Sequence, residues 1–155
     1  MESPRIEPDR PVHLVSSATA RRTTQADART MAIDLARMLH DDKCEAVTVL
    51  DVGGTSPVTD FVVIASGTSD RQMNAVLDHA IEFGDERGLP ATREQRDERS
   101  TWLLADFVDV VLHLFEPNTR AHYDIEGLFA GAEEVTWARP DQVDRNRAGL
   151  RPDER

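Results

Sequence analysis

The sequence predicts an α/β fold in which helices flank a mixed β-sheet, and three observations support this. Residues 61–65 form an apolar run rich in β-branched side chains, which is typical of a central strand covered on both faces. A short polar turn leads from this run into an amphipathic helix that begins at Ser69. Two later apolar segments are separated by a turn too short for a crossover, so they predict an antiparallel hairpin.

Both long helices have recognisable start signals. Ser69 and Gln72 match a capping box, in which the Ser69 hydroxyl accepts from the Gln72 amide and Gln72 reaches back. Thr24 is expected to cap an earlier helix that ends between residues 40 and 43, whereas Gly88 ends the later one. The buried stripe of the earlier helix is predicted to be Ala28, Met31, Ala32, Leu35, Met38 and Leu39. The stripe of the later helix is predicted to be Met73, Val76, Leu77, Ala80, Ile81 and Gly84.

The other elements follow from apolar segments and turn residues. We predict strands at residues 47–51, 101–106 and 108–115, a short helix at 120–129 and an edge strand at 135–137. Residues 52–59 and 89–100 are predicted loops. The charge run at 93–100 is interpreted as a solvent-exposed segment without a function of its own.

The second hairpin strand indicates which face of the sheet is open. Its aliphatic residues 110, 112 and 114 share one face by alternation, and the helices should pack there. Val111, His113 and Phe115 share the opposite face, which alone contains a polar group that needs water or a partner. We therefore expect an open apolar and aromatic surface on that side of the sheet.

Length and composition predict one domain with two disordered ends. The chain has 155 residues, and we assign 1–22 to a disordered N-terminal arm, 23–137 to the domain and 138–155 to a disordered C-terminal tail. No apolar run approaches the roughly 20 residues that span a bilayer, and no secretion signal is recognisable. The expected location is therefore cytoplasmic, without membrane contact. The single cysteine, Cys44, excludes an intramolecular disulfide.

The formal net charge of −11 bears on the choice of partner. Such a chain is repelled by bare phosphate backbones, so direct sequence-specific binding to nucleic acid is not expected. If the protein acts on a nucleic-acid machine, it should dock on a basic protein of that machine. Alternatively, the acidity serves only to keep the protein soluble.

Candidate catalytic groups are few. The nearest approach to a catalytic set is Asp106, Asp109 and Asp124, but the first two are three residues apart around a turn, so they do not alternate toward one metal. The polar turn 66–69 has one glycine and no lysine, so a helix cap is the better interpretation than a phosphate loop. We predict no catalytic residue, metal or cofactor.

Three segments together resemble the ribosomal silencing factors, also called Iojap-like proteins. They are residues 51–79 (DVGGTSPVTDFVVIASGTSDRQMNAVLDH), the hairpin strands 102–106 and 109–115, and residues 120–129 (RAHYDIEGLF). The similarity spans about residues 27 to 137 in the family's order and spacing. It implies a nucleotidyltransferase-like scaffold without catalytic carboxylates. Three departures are Val108, where the family usually has glycine, Phe129, where tryptophan is usual, and Gly127, which should weaken its helix by roughly 1 kcal/mol relative to alanine.

The resemblance implies a binding protein. Such factors attach to the large ribosomal subunit through its fourteenth protein, L14, block association with the small subunit and repress translation under nutrient limitation. The alternatives are a large-subunit assembly factor and a nucleotidyltransferase-like enzyme. Independently of the resemblance, an exposed apolar sheet face would allow a homodimer when the protein is free. The partner-binding residues we predict are Trp102, His113, Phe115, Arg120, Tyr123 and Asp124. Two interpretations of Trp102 stay open, because it can fill the core or anchor the partner.

Overall fold

A six-stranded mixed sheet has both long helices packed on one of its faces. The computed structural model describes residues 22–56 and 58–141. In chain order the elements are α1 (Gln25–Asp41), β1 (Glu45–Asp51), β2 (Phe61–Ser66), α2 (Asp70–Glu86), β3 (Arg93–Arg96), β4 (Trp102–Asp106), β5 (Val110–Phe115), α3 (Pro117–Tyr123), α4 (Ile125–Leu128) and β6 (Glu133–Val135). The strand order is β3-β4-β5-β2-β1-β6, and only the β2–β5 pair is parallel. The predicted α/β class is confirmed.

The predicted caps form at both long helices. The Thr24 hydroxyl accepts from the Asp27 amide, and the Ser69 hydroxyl accepts from the Gln72 amide at 3.0 Å. The return bond of the second box differs from the prediction, because Gln72 Oε1 accepts from the Thr68 amide rather than from Ser69. The polar turn before α2 is thus occupied by capping bonds, which is the interpretation that the sequence favoured.

The main core lies between the helices and one face of the sheet. Val110, Leu112 and Leu114 of β5 are all buried in it, as the alternation predicted. Both α1 and α2 contact the sheet and each other. A smaller apolar cluster lies on the opposite face, and it consists of Leu50, Val52, Val62, Ile64 and Phe115.

Two segments differ from the prediction. The charge run contains a strand, β3, which pairs antiparallel with β4 while its four residues are all exposed. Backbone pairing with β4 holds it, together with Arg96, which donates to Asn74 and Asp78 of α2. No apolar alternation in the sequence indicates this strand, and charged side chains are typical of a protected sheet edge. The helix predicted at 120–129 starts earlier, at Pro117, where the Glu116 carboxylate caps it. It then breaks at Asp124, whose φ of 49° is left-handed, so that two short helices replace one.

The other boundaries shift by a few residues. The strand predicted at 47–51 begins at Glu45, with a bulge before Thr48, and the last edge strand is 133–135 instead of 135–137. The predicted N-terminal arm lies outside the described residues except for Arg22, whose guanidinium donates to the carbonyls of Pro90 and Phe107. The predicted tail is described only to residue 141, and Arg139 there forms a bidentate pair with Asp41. The bonded chain therefore extends slightly beyond both predicted domain boundaries.

Candidate functional site

The sheet face opposite the long helices is covered only in part. Trp102 and Leu104 of β4 share this face with His113 and Phe115 of β5, because Trp102 pairs with Phe115 and Leu104 pairs with His113. The short helix α3 and Phe129, which follows α4, cover one end of the face. The predicted orientation of His113 and Phe115 away from the long helices is therefore confirmed.

An aromatic patch forms where this face meets α3, and we define it as Trp102, His113, Phe115 and Tyr123. The Trp102 ring centroid lies 4.9 Å from that of Phe115, 5.7 Å from that of Tyr123 and 6.0 Å from that of His113. Phe115 is fully buried, Trp102 and His113 are half-buried, and Tyr123 is 54% exposed. The patch is thus a layered cluster with Phe115 at its base and Tyr123 at its surface.

A groove of about 680 Å³ runs beside the patch. Its walls come from the edge strand β3 and the turn after it, from β4 and from α3. The lining residues are Glu94, Gln95, Arg96, Asp97, Thr101, Trp102, Leu104, Thr119 and Tyr123. Trp102 and Tyr123 belong to both the groove and the patch, so the exposed side of the patch opens into the groove.

His113 is held as a neutral imidazole. Its Nδ1 lies 3.1 Å from Nε1 of Trp102, and the indole N–H can only donate, so Nδ1 must accept and the ring proton lies on Nε2. Burial lowers the pKa of His113 to about 4, with a weaker opposing effect from the Asp106 carboxylate. A half-buried histidine in this position therefore serves as a hydrogen-bond acceptor at neutral pH.

Arg120 joins α3 to the sheet. Its guanidinium donates to the Ser66 hydroxyl at 3.0 Å and to the Thr48 hydroxyl at 3.4 Å, and the residue is only 8% exposed. Burying an arginine is costly unless its donors find partners, so these bonds fix the position of α3 over β1 and β2. Tyr123, three residues further along the same helix, is thereby placed against Trp102.

Asp124 is exposed at the turn between the two short helices. Its backbone adopts a left-handed conformation, and its carbonyl accepts from the Gly127 amide at 2.9 Å. A Cβ on Gly127 would lie 2.4 Å from Asp124 Oδ2. Because the Asp124 side chain is exposed, its carboxylate could move away from a larger residue at 127, so this contact alone does not require glycine.

The carboxylates considered for catalysis serve the backbone instead. Asp106 Oδ1 accepts from the Val108 amide, and buried Asp109 accepts from the amides of Arg22 and Thr23. Within residues 22–56 and 58–141, no group of three or more metal-ligating side chains comes together. Burial raises the pKa of the Cys44 thiol to about 11, so it is not a reactive thiolate. Over the same residues, no helix is long and apolar enough to cross a membrane.

The sequence-based prediction missed the residues that the edge strand and its turn contribute to the groove. Among them is Asp97, whose Oδ1 accepts from the backbone amides of Thr101 and Trp102. An aspartate four residues before a threonine at a strand start was the available signal for this turn. Thr119 was missed because the start of α3 was placed too late.

Comparison with known proteins gives one consistent result. A family model described as "Ribosomal silencing factor during starvation" matches residues 25–154. A relative from Halalkalibacterium halodurans, named ribosomal silencing factor RsfS, is 35% identical over 95 residues, which are 61% of this chain and 81% of that protein. A Mus musculus protein, "Mitochondrial assembly of ribosomal large subunit protein 1", is 30% identical over 98 residues, covering 61% of this chain and 43% of its own length. A crystal structure of a protein from Chromobacterium violaceum superposes with a TM-score of 0.62 at 28% identity, over 76% of this chain and 98% of that one.

Proposed function

Because the chain belongs to the ribosomal silencing factor family, we propose that it binds the large ribosomal subunit through L14, blocks association with the small subunit and represses translation under nutrient limitation. The observation that supports a binding role is the aromatic patch, which opens into a groove instead of closing into a core. Occupying the intersubunit surface requires no chemistry, in agreement with a site built from aromatic rings and capping carboxylates. We therefore propose a regulatory binding protein without enzymatic activity.

Charge favours a protein partner over RNA on this proposal. A chain of net charge −11 is repelled by exposed ribosomal RNA, so long-range attraction selects basic protein surfaces on the subunit. The short-range contact then depends on apolar and aromatic groups, which are enriched in interface cores. We accordingly propose that the protein acts in the cytoplasm without a cofactor or membrane contact.

The six predicted partner-binding residues take different parts in this proposal. Trp102 and Tyr123 are the anchors, since both line the groove and belong to the patch. Asp124 is exposed beside them and is available to a basic group of the partner. The remaining three, His113, Phe115 and Arg120, lie beneath or behind the anchors and support them.

The test is a paired measurement on Trp102→Ala. An aromatic anchor in a desolvated contact typically costs about 2 kcal/mol when truncated, so pelleting with cognate large subunits should weaken by at least about thirtyfold. The melting temperature of the free variant should fall, because Trp102 packs against the smaller apolar cluster, but the variant should stay folded, because the main core lies on the other face of the sheet.

Trp137→Phe is the matched control. Trp137 lies elsewhere, with its indole N–H donating to the Val47 carbonyl at 3.0 Å, so losing that bond should lower the melting temperature and leave pelleting normal. Normal pelleting by folded Trp102→Ala would remove Trp102 from the contact. Failure of the wild type itself to pellet would refute the ribosomal assignment.

A second candidate function is a role in large-subunit assembly, favoured by the name of the mouse relative. The two roles differ in when the subunit is occupied. Deleting the gene should cause immature large-subunit particles to accumulate if assembly is the main role. If silencing is the main role, mature subunits should instead stay joined during starvation.

We further propose that the free protein pairs with itself through the same open face, so that a homodimer and the ribosomal contact exclude each other.

A further inference from the structure

Trp102 is held at two points by side chains that flank it. Its backbone amide donates to Asp97 Oδ1 at 3.0 Å, and its indole N–H donates to His113 Nδ1 at 3.1 Å. The first bond fixes the start of β4, and the second fixes the orientation of the ring. The ring also contacts Phe115 below and Tyr123 beside it. Trp102 is thus fixed by two hydrogen bonds and two ring contacts although it lines the groove.

The indole bond is the part of this arrangement that sets the ring direction. A tryptophan indole has one donor and no acceptor, so when half-buried it adopts the orientation in which that donor finds a partner. His113 pairs with Leu104 and is therefore the diagonal cross-strand neighbour of Trp102 on the same face. Its Nδ1 is within hydrogen-bond distance of the indole N–H. Immobilising a rotamer-rich side chain only on binding would weaken association, whereas a ring fixed beforehand avoids that loss.

We propose that His113 is a positioning residue of the interaction surface, which holds the Trp102 indole in its binding orientation by accepting its N–H and does not itself contact the partner. The inference rests on the proposed function, because it presupposes that Trp102 is an anchor. It refines the role of His113, whose ring is surrounded by Trp102, Phe115 and Phe129.

A matched pair of substitutions tests the acceptor. His113→Asn keeps an acceptor oxygen near the position of Nδ1, while His113→Leu has a similar shape and no acceptor. The chain has two tryptophans, so the free protein should give two indole N–H signals in a nitrogen–proton correlation spectrum. The Trp137 signal is an internal reference, because that indole donates to a backbone carbonyl far from the patch.

In His113→Leu the Trp102 indole signal should move, its hydrogen exchange should accelerate by about tenfold, and large-subunit pelleting should weaken by about five- to tenfold. His113→Asn should retain most of the exchange protection and most of the pelleting. The Trp137 signal should stay unchanged in both variants, which shows that the fold is intact.

A double-substitution cycle keeps the test decisive even if His113→Leu is poorly folded. His113→Phe keeps a planar ring and removes the acceptor, so on its own it should weaken pelleting. Trp102→Phe keeps an aromatic ring and removes the donor, so adding His113→Phe to it should cost no further pelleting if His113 acts through Trp102. Independent, multiplying losses would overturn the proposal, as would equal losses in His113→Asn and His113→Leu. An unchanged Trp102 signal in His113→Leu would also overturn it. Failure of the wild type to pellet would refute the proposed function, and the exchange measurement would still report whether His113 orients the indole.

Discussion

Replacing Val108 with glycine should stabilise the protein. Val108 is the centre of a tight turn between β4 and β5, in which the Asp109 amide donates to the Phe107 carbonyl at 3.0 Å. Its φ is 78°, a conformation that β-branched residues rarely adopt and that belongs to the strained form of the three-residue turn. The strain arises because Val108 carries a β-branched side chain in a backbone conformation that only glycine adopts freely.

The magnitude follows from three contributions. Relieving the left-handed backbone strain should raise the free energy of unfolding by about 2 kcal/mol, which is within the usual range of that strain for a non-glycine residue. Glycine lowers the free energy of unfolding by about 0.7 kcal/mol, because it increases the conformational freedom of the unfolded chain. Removing the methyl groups of a half-buried valine loses roughly another 0.5 kcal/mol. The free energy of unfolding should therefore rise by about 1 kcal/mol, which for a domain of this size corresponds to about 4 °C in Tm.

Thermal melting of Val108→Gly and Val108→Ala against wild type checks this reasoning. Alanine keeps most of the left-handed penalty, so Val108→Ala should gain less than half as much as Val108→Gly. The Asp106 carboxylate bond to the residue 108 amide at 2.8 Å should survive in both, since it involves only the backbone at that position. A Tm for Val108→Gly equal to or below that of the wild type would refute the assignment of strain to this turn.

Two further predictions concern stability. Gly84→Ala should lower the free energy of unfolding by about 1–3 kcal/mol, because a Cβ there would lie 2.5 Å from Phe107 Cε1 and 2.7 Å from the Leu89 carbonyl oxygen. Denaturant unfolding would measure this loss, with Gly54→Ala as the control, because a Cβ at Gly54 meets nothing within 4 Å. Lowering the pH should destabilise the wild type through His113, because its pKa is near 6.5 when unfolded and about 4 when folded. The contribution of neutral His113 to the free energy of unfolding is fully present above pH 6.5 and falls by up to about 3 kcal/mol as the pH drops to 4. The melting curves of His113→Asn should lack this part of the pH dependence, whereas those of His122→Asn, at an exposed histidine, should keep it.

What could be predicted from the sequence was local. The caps at Thr24 and Ser69 involve residues three apart, and the two faces of β5 follow from its period of two, so neither depends on distant contacts. The start of α3 was also recoverable, since proline is common at the first helical position, but we predicted the helix from residue 120 and not from Pro117.

Other features depend on pairing that no local pattern records. The strand β3 is four exposed charged or polar residues, and only the backbone bonds to β4 make it a strand. The contact between Trp102 and His113 depends on the register of the hairpin. A shift of one residue in either strand would move its side chains to the opposite face of the sheet. The burial of Arg120 likewise depends on two hydroxyls from β1 and β2, which are distant in the chain.

The unequal covering of the two sheet faces separates the main core from the proposed binding surface. The main core lies between the sheet and two helices of 17 residues each, whereas the opposite face has helices of seven and four residues. Trp102 and Tyr123 are outside the main core, and their ring contacts are with the patch. Truncating them leaves the main core intact, although Trp102 also packs against the smaller apolar cluster, and it removes most of the aromatic surface that opens into the groove. We therefore expect that the proposed binding surface can change while the fold is maintained from the other side.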